Sequence, residues 1–122
     1  MENKKKTLVI GASPKPERYS NKAVRMLREY NHEVLALGKR QGMAGDTVIR
    51  TEFPENEDIH TVTMYLGKER QAEYYEALEE LRPRRVIFNP GTENRELSGR
   101  LNSAGIETEE ACTLLLLRTG QY

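Results

Sequence analysis

The sequence predicts an α/β fold: a Rossmann-like, doubly wound, mostly parallel sheet of five or six strands with helices on both faces. Three observations predict it. Short apolar, β-branched runs recur along the 122 residues, at 7–10, 33–37, 59–66 and 84–88. Stretches of helical periodicity separate most of them, and such alternation implies parallel strands joined by right-handed crossover helices. The first run closes on Gly11-Ala-Ser, a glycine turn leading toward a helix, the place where sheets of this kind meet phosphates.

Thr7-Leu-Val-Ile10 is uncharged and reads as a buried parallel strand. Residues 11–16 are loop, punctuated by Pro14 and Pro16. Ser20 or Asn21 then caps a helix, since either side chain can accept an orphan N–H of the first turn. Ala23, Val24, Met26 and Leu27 give that helix its apolar face, and it should end near Asn31-His32. Glu33 to Leu37 is the second strand, closed by Gly38. Residues 39–45 are basic and glycine-rich, hence loop, and Asp46 to Glu52 offers a short edge strand before Phe53-Pro54.

Ile59 to Leu66 alternates apolar and polar residues with high β-propensity, which predicts another strand. Lys68 to Leu81 carries Ala72, Tyr75, Leu78 and Leu81 at helical spacing, with Pro83 just past its end, predicting a long helix. Arg84 to Phe88 is the next strand and Asn89 to Thr92 a turn. A helix opening at Thr92 carries Leu97, Leu101 and Ala104 before Gly105 closes it. Ile106 to Thr108 is a last short strand, and Ala111 to Leu117 a terminal helix.

The length predicts one domain over residues 1–122, large enough to bury a real core. Nineteen basic residues balance nineteen acidic ones, so no overall field draws the chain to nucleic acid or to an anionic membrane, and neither is expected as a partner. Any anion site must come from local placement of charge and backbone. One cysteine, Cys112, excludes an internal disulfide, and the apolar run near the N-terminus is too short for a signal peptide or a membrane span. The expected location is cytoplasmic.

In a doubly wound sheet ligands lie beyond the carboxyl ends of the strands, where strand order reverses. After the first strand, Gly11 permits a sharp turn, but Ser13 and Pro16 stand where a dinucleotide fingerprint would place its second and third glycines. Read alone, the loop is either an anion cradle or a plain strand-to-helix turn. Pro14 and Pro16 offer no N–H, so a cradle would rely on Ala12, Ser13, Lys15 and the Ser20-Asn21 turn. After the second strand stands Leu37-Gly38-Lys39-Arg40, not the acidic residue that holds the ribose hydroxyls of NAD. The basic pair suits a ribose phosphate, carried by coenzyme A and by NADP, or is two solvated loop cations. Tyr65 either packs on an adenine, lines a pantetheine channel, or is a half-buried sheet tyrosine. Asn89-Pro90-Gly91 is either a polar rim or a tight connection into the next helix.

Together, residues 9–14 (Val-Ile-Gly-Ala-Ser-Pro), 20–23 (Ser-Asn-Lys-Ala), 33–37, 86–94 (Val-Ile-Phe-Asn-Pro-Gly-Thr-Glu-Asn) and 104–107 with Cys112 resemble the CoA-binding domain family. The fold of that family is similar to the N-terminal domain of the succinyl-CoA synthetase alpha subunit. The resemblance implies that coenzyme A or an acyl-CoA is the ligand, with NADP the less favoured choice. It also implies that Gly11, Ala12, Ser13 and Pro14 wrap the phosphates, bordered by Ser20, Asn21 and Lys22. Lys39 would approach the ribose phosphate, and Tyr65 and Asn89 would line the rim near adenine or pantetheine. The chain departs from the family pattern at Leu37-Gly-Lys-Arg40, where an Asn-Pro segment is usual, and at Ala111-Cys-Thr113, where Arg-Cys-Pro is common.

No catalytic or metal residue is expected. His32 falls at a helix end and His60 early in a strand, both at the rim opposite the ligand. The synthetase's phosphorylated histidine belongs to a different domain. Cys112, in an apolar segment, reads as packed core, and one Cys with two distant His cannot form a zinc site. Ser13 has no base close in sequence, and Arg82-Pro-Arg84-Arg85 is a solvated turn. The expected function is a small, non-catalytic CoA-binding module. Two alternatives share the fold: an NADP-dependent or other nucleotide-using enzyme, and an interaction protein whose Pro14-Lys15-Pro16 segment has collapsed into the phosphate site.

Overall fold

Uncharged β-branched runs leave water only if their backbone groups find partners, and here they find one another in a single sheet. The structure, a computed structural model, describes residues 4–122. In chain order its elements are β1 (Thr7–Ile10), α1 (Tyr19–Glu29), β2 (Val34–Leu37), β3 (Gly42–Ala44), β4 (Thr47–Arg50), β5 (Thr61–Met64), α2 (Tyr75–Leu81), β6 (Arg85–Phe88), α3 (Arg95–Ser103), β7 (Glu107–Glu110) and α4 (Thr113–Arg118). The strand order is β3-β4-β2-β1-β5-β6-β7. Every pairing is parallel except β3 with β4. Without β3, the parallel strands read third, second, first, fourth, fifth, sixth, which is the Rossmann order with its reversal between β1 and β5.

Two cores flank the sheet. Leu8, Ile10, Val62, Met64, Val86 and Phe88 meet Leu78 of α2 and Leu97 and Leu101 of α3 on one face. Val9, Ala36, Ile49 and Ile87 meet Val24 and Leu27 of α1 and Leu117 of α4 on the other. Full burial of one such side chain contributes about 1.5–3 kcal/mol, so a helix as polar as α1 is held by its short apolar stripe.

The expectation of an α/β doubly wound sheet holds, with differences in detail. The described residues form seven strands, not five or six, because residues 42–44 form β3 where a loop was expected. Ala44 pairs with Thr47 across Gly45-Asp46; Gly45 takes φ +58, as a two-residue hairpin turn requires. The added strand makes β3 the edge and places β4 inside it. The expected long helix over 68–81 is instead two 3₁₀ turns, Lys68–Arg70 and Ala72–Tyr74, followed by α2. Gln71, fully buried between the two turns, donates to the carbonyls of Leu66 and Thr92. Neither Ser20 nor Asn21 caps α1: Arg18 occupies that position and makes no side-chain cap. The third helix is capped by Asn94, which accepts the Leu97 N–H at 3.0 Å, and not by Thr92. No helix among the described residues is long and apolar enough to cross a membrane.

Candidate functional site

The reversal between β1 and β5 opens a cleft of about 610 Å³ at the carboxyl ends of the strands, within the usual size of small-molecule sites. Loops after β1, β2, β5 and β6 wall it. Gly11 takes φ +95, and a Cβ there would press on the Tyr65 backbone at 3.0 Å. Gly38 has the same need, since a Cβ would run into the Ala12 carbonyl oxygen. Gly11 lets the first loop pass the one after β5, and Gly38 lets the first and second loops approach each other; the Leu37 carbonyl then accepts both the Gly11 and Ala12 N–H groups at 2.9 Å.

The cradle therefore differs from the one expected. The Ala12 N–H is spent on Leu37, and the Lys15 N–H on Ser13 Oγ at 3.2 Å. What is left of the expected cradle faces the cleft as the N-terminus of α1, where the Ser20-Asn21 turn lies. Its first turn holds no acidic residue and no side-chain cap, and Lys22 is the first residue whose N–H reaches a helical carbonyl, that of Arg18 at 3.0 Å. Helix geometry leaves the N–H groups of Tyr19, Ser20 and Asn21 without intrahelical partners, at the positive end of the helix dipole.

Of the residues expected at the site, Gly11, Ala12, Ser13, Pro14, Ser20, Lys39 and Tyr65 line the cleft. Asn21, Lys22 and Asn89 do not. Asn21 is 2 % exposed and donates to the Ser13 carbonyl at 2.8 Å, supporting the loop from behind. Lys22 lies 5.1 Å above the Tyr19 ring. Asn89, also 2 % exposed, is a strut: its Nδ2 donates to Thr63 Oγ1 at 2.7 Å and the Met64 carbonyl at 2.9 Å, and its Oδ1 accepts the Thr113 N–H at 2.8 Å.

Tyr65 lines the cleft with its hydroxyl committed inward. Burial pushes its phenol far above the ordinary value, Cys112 adds to the shift, and hydrogen bonds from Thr63 and Thr113 offset it only in part. The group stays protonated at neutral pH. Cys112 is half-buried rather than packed in either core; it sits just past β7, at the ligand end of the sheet. His60 lies at the opposite rim, where burial and then Arg85, Lys5 and Arg84 hold it below its usual value. His32, also at that rim, is buried, with its Nδ1 accepting the Lys5 N–H.

Sequence reasoning missed Arg18, Arg70 and Tyr74 in the lining. Arg18 was findable as the residue before α1; Arg70 and Tyr74 arrive only because the segment before α2 is broken into 3₁₀ turns. The result is a cluster of Lys15, Arg18, Lys39, Arg40 and Arg70 against one acid, Glu73, among the described residues lining the cleft.

Comparison with protein families matches the CoA binding domain over residues 5–118. The chain belongs to the CoA-binding domain family. A crystal structure of an uncharacterized protein is 40 % identical, covering 99 % of this chain and 100 % of its own, with a TM-score of 0.95. Cell-free ID.343 from Thermus thermophilus superposes with a TM-score of 0.85 at 20 % identity, over 98 % of this chain and 91 % of its own. A hypothetical protein from Pyrococcus horikoshii OT3 gives 0.86 at 24 % identity, over 95 % and 83 %. These last two share the fold with this member of the family. No curated protein matches it.

Proposed function

We propose that this CoA-binding domain protein holds coenzyme A or an acyl-CoA in the β1–β5 cleft and does no chemistry on it. The observation that carries the reading is local charge: five cations and an open helix N-terminus converge on one cleft in a chain whose net charge is zero. A diphosphate fits the N-terminus of α1, where orphan N–H groups and the helix dipole both favour an anion. A phosphate monoester, with about −1.5 to −2 charges, fits Lys39 and Arg40 at the end of β2. Loop 13–16 walls the cleft and does not fill it, which argues against a ligand-free interaction protein. Tyr65 is held protonated and the two histidines lie at the far rim, which supports a site that binds without acid–base chemistry.

Calorimetric titration of CoA, dephospho-CoA, NADP and NAD into the protein tests this. Saturable binding with CoA the tightest is expected, and CoA recovered intact after long incubation. Tighter binding of NADP, with turnover on a carbonyl substrate, would replace this reading with the enzyme alternative.

A further inference from the structure

The loop that walls the cleft cannot hold its own shape. Its Ser13–Pro14 and Lys15–Pro16 peptides carry no N–H. The backbone bonds within it are one, Arg18 N–H to the Lys15 carbonyl at 3.1 Å, helped by the long contact of Lys15 N–H with Ser13 Oγ. Its Ser13 and Pro16 carbonyls are held from outside, by one face of α1. Asn21 Nδ2 donates to the Ser13 carbonyl at 2.8 Å; Arg25 Nε donates to Asn21 Oδ1 at 2.7 Å; and Arg25 Nη2 donates to the Pro16 carbonyl at 2.9 Å. Asn21 and Arg25 are one helical turn apart, so they share a face by geometry. A single guanidinium thus ties down both ends of the loop, directly at Pro16 and through Asn21 at Ser13.

We infer that Arg25 is a positioning residue for the ligand loop: it fixes the cradle without touching the ligand. It is absent from the cleft lining. With the Pro16 carbonyl drawn onto the guanidinium, the trans peptide turns the Glu17 N–H away from Arg25. Gly45 makes room for the arrangement, since a Cβ there would sit 2.9 Å from Arg25 Cγ. The β3–β4 hairpin therefore buttresses the stem of Arg25 as well as extending the sheet. The role demands arginine: two acceptors in different directions suit a planar fork, and an ammonium presents only a point charge.

The inference rests on the cleft being the CoA site, and the test separates the two. Arg25→Met removes the donors and keeps an apolar stem; Arg25→Lys keeps the charge and loses the fork. Arg28→Met is the control. It removes one positive charge from the same helix, at a side chain bound to Asp46 and to the His32 carbonyl. Amide hydrogen exchange is measured on ligand-free protein, and CoA affinity by calorimetry.

Both Arg25 variants should speed exchange at the amides of residues 13, 15 and 17–19 several-fold and weaken CoA on the order of tenfold, the scale of one net hydrogen bond. Arg28→Met should do neither, and exchange in α2 and α3 should stay as in the parent protein. Wild-type affinity in Arg25→Lys, or loop exchange unchanged in Arg25→Met, would overturn the inference. If the parent protein binds no CoA, the ligand reading fails on its own, while the exchange result still decides whether Arg25 holds the loop.

Discussion

Replacing Asn89 by alanine should cost stability and leave ligand binding nearly intact. The side chain is 2 % exposed and ties the end of β6 to two elements through three hydrogen bonds of 2.7–2.9 Å: β5 at Thr63 and Met64, and the start of α4 at Thr113. Each bond contributes about 1 kcal/mol net, and a buried donor left unpaired, here the Thr113 N–H, costs about 1–3 kcal/mol. The losses overlap, so about 3 kcal/mol is expected in all. For a chain of 122 residues, the per-residue unfolding entropy converts that to a fall in Tm of roughly 12 °C. The assay is urea and thermal unfolding followed by circular dichroism, with the urea midpoint falling by roughly 1 M or more. Asn89→Asp keeps the acceptor for Thr113 but turns a carboxylate oxygen toward the Met64 carbonyl. Its folded-state pKa is then raised, so it should regain stability as pH falls. A loss below about 1 kcal/mol in Asn89→Ala would refute the strut. So would a Tm unchanged while CoA affinity collapses, which would return Asn89 to the ligand rim.

Lys39→Glu should weaken CoA far more than dephospho-CoA, because only CoA carries the ribose phosphate; equal losses in calorimetry would remove Lys39 from that subsite. Gly38→Ala should fail by crowding the Ala12 carbonyl and the Ile49 side chain, lowering Tm and loosening the first loop, which proton chemical shifts of residues 11–13 would report. Acid should destabilise the fold through its paired carboxylates. Asp46 is held below its usual value chiefly by its hydrogen bonds with Arg28, Glu57 by Lys6, and Glu79 by Arg100. Groups with depressed folded-state pKa values contribute stability above the unfolded value, near 4 to 4.5, and lose it as pH falls through the folded one. Unfolding midpoints should therefore drop between pH 5 and pH 2, and Glu79→Gln should flatten that drop; an unchanged slope would show that the Arg100 pair carries none of it.

The frame was legible because burial on both faces of a sheet writes itself as uncharged runs such as Leu8-Val-Ile and Val86-Ile-Phe. What was not legible depended on contacts between distant parts of the chain. Gly42-Met-Ala44 reads as loop until the Gly45-Asp46 turn folds it onto β4. Lys68 to Leu81 has helical spacing throughout, yet the buried Gln71 side chain holds the carbonyls of Leu66 and Thr92 and breaks the segment. Asn89 sits at the rim in sequence, but its amide turns inward because Thr63 and Thr113 converge beneath it. At the site, the glycine turn and Lys39 could be read directly. Arg70 and Tyr74 join them only through the fold, and Arg25, outside the cleft, holds the loop at Pro16 directly and at Ser13 through Asn21.

A ligand lying across the β1–β5 reversal, with its phosphates at the N-terminus of α1, should perturb a defined set of backbone amide signals as CoA is titrated into labelled protein. Saturating shifts are expected at Gly11–Ser13, Tyr19–Ser20, Lys39–Arg40 and Gly91–Thr92, with His60, Arg84 and Arg85 at the far rim unmoved. Shifts confined to the far rim, or none with millimolar CoA, would contradict this placement.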